Sequence, residues 1–196
     1  QVRLLAEWLE EAGTEHAVAR EPGGTPLAEE IRKLLLEWRD GEIPDESELF
    51  LILAARASLV RAFVGPHLEA GRVVVADRYD LSTLAYQGYG RGLDLDAVRG
   101  ANDLATGGLR PDLYLLLDVE VERGLERRRR DGDPEDRIEG AGADFLGRVR
   151  RGYLEIARYD DRVEVVEGDA PPERVQARLR SILRERFPET FGDRAV

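Results

Sequence analysis

The sequence predicts an α/β fold in which a parallel sheet lies between helices on both faces, so that the chain has three layers. Two observations predict it. Short, wholly apolar segments such as VVVA and LYLLL have the composition of strands buried on both sides of a parallel sheet. Helical sequence follows each of them, and strands alternating with helices form parallel sheets. Neither an internal repeat nor a linker divides the chain, so residues 1–196 form one predicted domain.

The first half of the chain contains one predicted strand and three predicted helices. The first helix has Val2, Leu5 and Leu9 on one face and breaks at Gly13. An extended run ends at EHAVAR, and the turn EPGG leads to a second helix with Thr25 as its N-cap. The predicted ranges are helix 1–12, a strand ending at residue 20, helix 25–38 and helix 46–64. The long third helix carries an apolar stripe of Leu49, Ile52, Leu53, Leu59 and Phe63.

The second half contains three predicted strands. They are RVVVAD, PDLYLLLDV and RVEVVE, residues 72–77, 111–119 and 162–167. A helix is predicted to end at the arginine run 127–130, and a last one covers residues 171–187. Strand ends carry Arg20-Glu21, Asp77-Arg78 and Asp118. Because ligands of such sheets bind at the carboxyl ends of the strands, these are the first candidate functional residues.

Composition excludes several classes of protein. The chain has no cysteine, which excludes disulfides and thiolate metal sites, and its two histidines, His16 and His67, have no ligand-like spacing. The formal net charge is −11, whereas nucleic-acid-binding proteins usually carry a basic face. No signal peptide is visible, and no apolar run reaches the roughly 20 residues that cross a bilayer. We expect a cytoplasmic protein without nucleic-acid or membrane partners.

The N-terminus is unusual. The chain has no methionine and passes from Gln1 directly into an apolar-faced helix without a polar cap. The pattern predicts that further residues precede Gln1.

The first motif is REPGGT, residues 20–25. Two glycines beside a helix N-terminus allow backbone N–H groups to approach an anion. A capped strand-to-helix turn has the same sequence. The residues alone favour the turn.

The second motif is DRY followed by Ser82, Thr83 and Gln87. At a strand end, Asp77 can hold Mg²⁺ and Arg78 can bind a phosphate through two hydrogen bonds. The Ser, Thr and Gln side chains offer donors and acceptors for a base edge. A surface ion pair with a helix cap is the alternative, and this many polar groups beyond one buried strand argue against it.

Two further features are ambiguous. Arg56 on the long helix is compatible with the polar edge of an amphipathic helix. The segment GLERRRRDGDPEDRIEG places arginines at a helix C-terminus, where they complement the helix dipole, and then carries Arg137. A mobile flap that closes arginines over phosphates, residues 128–143, is the functional alternative. The two interpretations of this segment are evenly balanced.

Together and in this order, the motifs resemble the bacterial thymidylate kinase family over essentially the whole chain. The resemblance rests on REPGGTPLAEEIRKLLL, AAR, DRYDLSTLAYQGYGRGLD, RPDLYLLLDV, DRIE and F-x-x-x-V-R-x-x-Y-L-E-I-A. It implies a P-loop nucleoside-monophosphate kinase fold with a five-stranded parallel sheet. It also implies Mg²⁺-dependent transfer of the ATP γ-phosphoryl group to dTMP, and a homodimer packed through its long helices. The apolar stripe is compatible with that interface and equally with ordinary core.

The resemblance implies roles for individual residues. Arg32 and Arg78, beside Pro22, resemble the arginines that bind the dTMP phosphate. Arg56 resembles the arginine that binds the thymine edge, in a pocket completed by Ser82, Thr83 and Gln87. The residues that resemble the catalytic set are Arg78, Arg137 and Asp77, with Asp77 near Mg²⁺. The segment that resembles the loop beside adenine is Asp169, Ala170 and Pro171.

The chain departs from the family pattern in two places. The family's first strand and its phosphate loop, G-x-x-x-x-G-K-[ST], are expected upstream of Gln1, so we expect the chain without them to be inactive and poorly folded. Ile52 stands where the family usually has a phenylalanine stacked on the base, which predicts weaker dTMP binding or relaxed base choice. Another nucleoside-monophosphate kinase, and a non-catalytic nucleotide-binding module, are the alternative functions.

Overall fold

The computed structural model describes residues 1–132 and 137–192 and shows an α/β fold. The strands are β1 His16–Arg20, β2 Val73–Asp77, β3 Tyr114–Asp118 and β4 Val163–Glu167. The helices are α1 Val2–Glu11, α2 Pro26–Glu37, α3 Asp45–Leu59, α4 Gly65–Glu69, α5 Asp80–Thr83, α6 Leu95–Thr106, α7 Val121–Asp131, α8 Ala143–Ala157, α9 Pro172–Arg186 and α10 Pro188–Phe191. The short remaining elements are π-helical segments Val60–Val64 and Leu84–Gly90 and a 3₁₀ turn Glu139–Ala141.

All four strands are parallel, as predicted, and they form two pairs. β1 pairs with β2 in a register that runs from His16 opposite Val73 to Arg20 opposite Asp77. β3 pairs with β4, with Asp118 opposite Glu167. Across residues 1–132 and 137–192, no ladder joins β2 to β3. An apolar cleft of about 960 Å³ separates these two strands instead.

Helices cover both faces, which confirms the predicted layers. On one face, Leu5, Trp8 and Leu9 of α1 pack with Leu183 of α9 against apolar side chains of β2 and β3. On the other face, a core of Ala19, Leu59 and Val64 packs against Val74 of β2. Because the cluster formed by α1 and α9 contacts both β2 and β3, it ties the two strand pairs together.

Most predicted elements are confirmed with small shifts of their ends. Thr25 caps α2, accepting from the Ala28 N–H at 3.2 Å, and Pro26 lies in the first turn. The predicted strand 111–119 shortens to Tyr114–Asp118, because Pro111 cannot donate to a ladder. The long helix continues past residue 64 to Glu69, since Pro66 lies in the first turn of α4, where its missing N–H costs little. Helices α5, α6, α8 and α10 lie outside the ranges predicted from sequence.

Helix α3, the π-helical segment and α4 form one continuous helical rod from Asp45 to Glu69. By length and composition alone this rod could cross a bilayer, whereas the sequence predicted no such segment. A third of its most apolar window, 33%, is buried inside the chain. Its stripe residues Leu49 and Leu53 pack against Val98 of α6. Those stripe residues therefore belong to the core of this chain.

Candidate active site

A cavity of about 200 Å³ opens at the carboxyl ends of β1 and β2. It brings together every residue that the sequence assigned to dTMP binding, together with Asp77. The lining residues are Arg20, Glu21, Pro22, Arg32, Leu36, Ile52, Arg56, Asp77, Arg78, Ser82, Thr83, Tyr86, Gln87 and Ile138. They come from distant parts of the chain because β1, α2, α3 and the α5 segment meet at this edge of the sheet.

The Arg56 side chain in the cavity wall is buried and fixed by several hydrogen bonds. It is 2% exposed, and its Nε donates to both carboxylate oxygens of Glu21 at 3.1 and 2.9 Å while Nη2 donates to one of them at 2.5 Å. Nη1 donates to Thr83 Oγ1 and to Asn102 Oδ1, both at 2.6 Å. Four of the five guanidinium N–H groups are thus occupied by described residues, and one N–H on Nη2 is left.

Glu21 is buried with Arg56 and titrates abnormally. Burial raises the pKa of the Glu21 carboxyl above its ordinary value of 4.5, and the charge and hydrogen bonds of Arg56 offset only part of that rise. The cost of removing the carboxylate from water therefore exceeds what the pair returns, as is common for buried ion pairs.

A second buried carboxylate, Glu48 of α3, lies behind Gln87. Its oxygens accept from Gln87 Nε2 at 2.8 Å, from Arg91 Nη2 at 3.0 Å and from Arg137 Nη2. Burial alone would raise the pKa of Glu48, but the hydrogen bonds from Arg91, Gln87 and Arg137 lower it below 4.5. Glu48 is thus held as a carboxylate, and its pKa is shifted in the direction opposite to that of Glu21.

The end of the cavity opposite Arg56 contains two guanidinium groups, those of Arg32 and Arg78, with few partners among the described residues. Arg32 Nη1 donates to the backbone oxygen of Pro22 at 2.9 Å. The Arg78 guanidinium lies 4.9 Å from the ring centre of Tyr86, and its φ of 69° is in the left-handed region, which turns the side chain at the end of β2. Within the described residues, no carboxylate lies within 4 Å of either guanidinium, and the Asp77 carboxylate accepts no hydrogen bond.

An aromatic cluster supports this cation end. Tyr153 of α8 donates to Ser82 Oγ at 2.7 Å and lies edge-on to Tyr86. Burial raises the pKa of Tyr153 to about 12, so its hydroxyl stays protonated. Ser82 is thereby fixed at the mouth of the cavity.

The glycine turn is occupied by the chain itself. The Gly24 N–H donates to Glu29 Oε1 at 2.7 Å, and Arg20 pairs with the same carboxylate at 2.9 Å. Gly24 has a φ of 86°, and a Cβ there would lie 2.8 Å from Leu59 Cδ1. Close packing against α3 and the left-handed backbone explain why glycine is required at this position.

Other predicted site residues lie away from the cavity. Arg137 of the flap segment donates to Glu48 and to the Leu35 oxygen, the latter at 2.9 Å, and only its neighbour Ile138 lines the cavity. Asp169, which precedes Ala170 and Pro171, is paired with Arg127 and Arg123. The flap residues 133–136 lie outside the described residues.

Asp118, a candidate from its strand end, is held by Arg150 of α8. Arg150 Nε donates to Oδ1 at 2.7 Å and Nη2 donates to Oδ2 at 2.9 Å. These hydrogen bonds lower the pKa of Asp118 below its ordinary value. The carboxylate is therefore engaged within the protein.

Sequence reasoning missed Glu48, Asn102, Tyr153 and Ile138. One signal could have found Glu48: it precedes Ile52 by four residues and Arg56 by eight, which places all three on one face of α3. Asn102 and Tyr153 carry no comparable signal, because their contacts join segments far apart in sequence.

Comparisons with known proteins agree with the motifs in this cavity. The family model described as "Thymidylate kinase" matches residues 1–179. The chain belongs to the thymidylate kinase family. It is 46% identical over 189 residues to a thymidylate kinase of Desulfovibrio desulfuricans, a match covering 93% of this chain and 87% of that protein. It is 44% identical over 186 residues to the thymidylate kinase of Nostoc punctiforme, covering 94% of this chain and 88% of that protein.

More distant members match over a similar span. The thymidylate kinase of Maridesulfovibrio salexigens is 40% identical over 198 residues, covering 97% of this chain and 91% of that protein. Membership of the thymidylate kinase family also confirms the predicted P-loop nucleoside-monophosphate kinase class.

Proposed function

We propose that the chain transfers the γ-phosphoryl group of ATP to dTMP, forming dTDP and ADP, with dTMP bound in the cavity at the ends of β1 and β2. One observation carries the proposal: within a chain of the thymidylate kinase family, a single cavity contains all eight predicted dTMP-binding residues. They are Pro22, Arg32, Ile52, Arg56, Arg78, Ser82, Thr83 and Gln87.

The buried end of the cavity suits a base. The remaining Nη2–H of Arg56 is a fixed donor, since the other four N–H groups are already engaged. Gln87 adds an amide to the same wall, and Ile52 offers an apolar surface. Phe50, the nearest aromatic residue in sequence, is 66% exposed and does not line the cavity. At position 52, base stacking would therefore be replaced by aliphatic contact.

The open end suits a phosphate and Mg²⁺. Arg32 and Arg78 form no ion pair with the described residues, so a phosphate would supply their missing counter-charge. Across residues 1–132 and 137–192, no cluster of three or more Asp, Glu or His side chains could hold a metal alone. Asp77, a carboxylate that accepts no hydrogen bond from the described residues, fits an ion that takes one carboxylate and completes its shell with phosphates and water. Bound Mg²⁺ would neutralise charge on the transferring group.

Catalysis would consist of positioning and charge stabilisation, because phosphoryl transfer needs no side-chain nucleophile. Arg78 and Arg32 would hold the acceptor phosphate. Arg137 would act as a flap arginine only after leaving Glu48 and the Leu35 oxygen, its partners in this structure. On the ATP side, Asp169, Ala170 and Pro171 would form the loop beside adenine. Arg127 braces that loop through Asp169 and through the Gly168 oxygen at 3.1 Å.

We also propose that the cleft between β2 and β3 receives a strand and phosphate loop from residues preceding Gln1. The facing edges of β2 and β3 carry no ladder partner among the described residues. Gln1 lines this cleft, and most of the other lining side chains are apolar. A fifth parallel strand there would join the two strand pairs into one sheet. Residues 1–196 and the upstream segment would then form a single domain, and the phosphate loop would bring ATP to the edge of the sheet where the cavity opens.

We further propose a cytoplasmic homodimer. Leu49, Leu53 and Leu59 of the long helix are buried within the chain's own core and cannot form the interface. Exposed apolar residues on the long helix itself and on its neighbours α2 and α6 remain for it, namely Phe50, Leu27 and Leu104. Sedimentation of the chain at two concentrations would test this.

The deciding experiment is ADP release by the chain extended at Gln1 by the strand and phosphate loop proposed above. ATP–Mg²⁺ is supplied with dTMP, dUMP, dCMP or AMP. We expect a clear preference for dTMP over the other three acceptors. Turnover that is equal across the panel, or absent, would contradict the proposal and would favour a nucleotide-binding module that performs no transfer.

A further inference from the structure

The amide of Gln87 lies between the cavity and a buried acid. Gln87 is 1% exposed and Glu48 is 0% exposed. Gln87 Nε2 donates to Glu48 Oε1 at 2.8 Å, while Gln87 also lines the cavity. One side of this amide therefore faces a fixed protein group, and the other is available to a ligand.

Glu48 leaves the amide only one orientation. Arg91 donates to both Glu48 oxygens, at 3.2 and 3.0 Å, and Arg137 donates to Oε2. Two guanidinium groups hold the acid ionised, and an ionised carboxylate accepts hydrogen bonds but cannot donate one. A Gln87 carbonyl turned toward Glu48 would face an acceptor, and both buried groups would lose a hydrogen bond. The NH₂ group must face Glu48.

The carbonyl oxygen is the group that remains for the cavity. No residue within 1–132 and 137–192 donates to Gln87 Oε1. Arg56, whose remaining Nη2–H has no acceptor among the described residues, lines the same cavity. The site thus combines one acceptor that cannot turn with one donor that cannot turn.

We propose that Glu48 is a positioning residue that sets base choice, because it fixes the Gln87 amide to accept a hydrogen bond from an N3–H and so favours 4-oxopyrimidines over cytosine. The proposal rests on the proposed function. Thymine and uracil carry an N3–H donor beside an O4 acceptor. Cytosine carries an N3 acceptor beside a 4-amino donor, and would set acceptor against acceptor at Gln87 and donor against donor at Arg56.

The helix geometry explains why an acid in the core can do this. Glu48, Ile52 and Arg56 follow one another at intervals of four residues on α3, so all three lie on one face. That face supplies the apolar contact, the donor and, through Gln87, the acceptor. A single helix therefore sets the polarity of the base edge that is accepted.

The test replaces Glu48 by glutamine, which has the same shape but can donate as well as accept. The Gln87 amide is then free to turn. We expect the ratio of kcat/KM for dTMP to that for dCMP to fall about tenfold or more, because one of the two mismatched contacts disappears. The dTMP-to-dUMP ratio should not change, since the 5-methyl group does not touch this edge.

Two further variants separate positioning from folding. Glu48→Asp keeps the charge between the arginines but withdraws it from the amide, and should lower the dTMP-to-dCMP ratio while retaining the thermal unfolding midpoint better than Glu48→Gln. Asp45→Asn is the matched control, because Asp45 pairs with Arg91 at 3.3 Å without contacting Gln87. It should leave the ratio unchanged.

The outcomes distinguish the two proposals. If the wild-type protein shows no preference for dTMP, the proposed function fails and this inference fails with it. If the wild type prefers dTMP and both Glu48 variants lower kcat/KM for dTMP and dCMP by the same factor, Glu48 is only structural. In that case the positioning role is overturned while the proposed function stands.

Discussion

The two ends of the cavity are built on opposite principles. At the base end, Arg56 is 2% exposed and four of its five N–H groups are engaged by Glu21, Thr83 and Asn102. At the phosphate end, Arg78 is exposed, lies 4.9 Å from the ring centre of Tyr86 and forms no ion pair within 4 Å among the described residues. One arginine is held by the protein, whereas the other awaits a ligand.

The difference follows from what each end has to bind. A base is neutral and is distinguished by single donors and acceptors, so the groups that contact it must have fixed orientations. A phosphate is charged and binds any accessible cation, so an arginine already paired with a carboxylate would bind it less well. We therefore expect the base end to contribute to stability as well as recognition, and the phosphate end to contribute almost only to activity.

The largest expected effect is the loss of stability from Arg56→Met. Methionine has a similar reach but cannot pair with Glu21, whose carboxylate would stay buried without its cation. Breaking a buried pair in this way costs about 3–5 kcal/mol in the free energy of unfolding. Urea denaturation of the wild type and the variant measures it.

Two controls accompany this measurement. Arg61→Met changes an exposed arginine on the same helical rod and should alter stability by about 0.5 kcal/mol or less. The double variant Glu21→Gln with Arg56→Met removes both charges and should recover part of the loss. A loss for Arg56→Met no larger than that for Arg61→Met would contradict the comparison.

The phosphate end should show the reverse pattern. Arg78→Ala is expected to lower kcat/KM for dTMP about 100-fold to 1000-fold, as removal of one preorganised donor to a transition state does. Its unfolding free energy should change by about 1 kcal/mol or less, since the contact with Tyr86 is lost but no ion pair is broken. Steady-state assays and urea denaturation together test this.

Arg72→Ala is the matched control for Arg78, because it removes an exposed arginine just before the other end of β2, where Arg72 pairs with Glu15 at 3.3 Å. It should leave kcat/KM unchanged. If Arg78→Ala destabilised the protein as strongly as Arg56→Met, the proposed division between the two ends would be wrong.

The fold was largely predictable because its signals are local. Apolar runs with helical sequence after them predict the strands, and Thr25 with Pro26 predicts the start of α2. Local signals failed where a helix continues through unusual geometry. The rod from Asp45 to Glu69 contains the π-helical segment Val60–Val64, which no apolar period reveals.

The sequence predicted the residues that line the cavity. It did not predict the residues that hold those side chains in place through hydrogen bonds. Arg56, Arg78 and Gln87 lie in recognisable motifs, and one cavity contains them all. Asn102, which accepts from Arg56 across 46 positions of sequence, is a helical asparagine without a motif. Supporting contacts depend on which helices pack together, and a single sequence does not specify that at the level of one side chain.

The smallest expected effect comes from the protonation of Glu21. Protonation should favour folding but weaken dTMP binding. Because burial raises the pKa of Glu21 above 4.5, the folded state takes up this proton more readily than the unfolded state. The stability contribution of this group is therefore fully present below pH 4.5 and is lost as the pH rises through the raised folded pKa. Over the same range, acidification protonates Glu21, weakens its hold on Arg56 and should weaken dTMP binding a few-fold.

Acidification should thus raise the stability contribution of Glu21 and lower the affinity for dTMP, so the two quantities have opposite slopes against pH. Comparison of the wild type with Glu21→Gln isolates these two slopes. Glutamine cannot titrate. In the variant, the free energy of unfolding and the dTMP affinity should therefore both lose the part of their pH dependence that comes from Glu21. The phosphate of dTMP titrates in both proteins and cancels in the difference. Opposite slopes are expected because the same proton relieves the cost of burying Glu21 and removes the charge that orients Arg56. Slopes of the same sign would mean that Arg56 keeps its orientation without the Glu21 charge, and that Thr83 and Asn102 alone hold the base end.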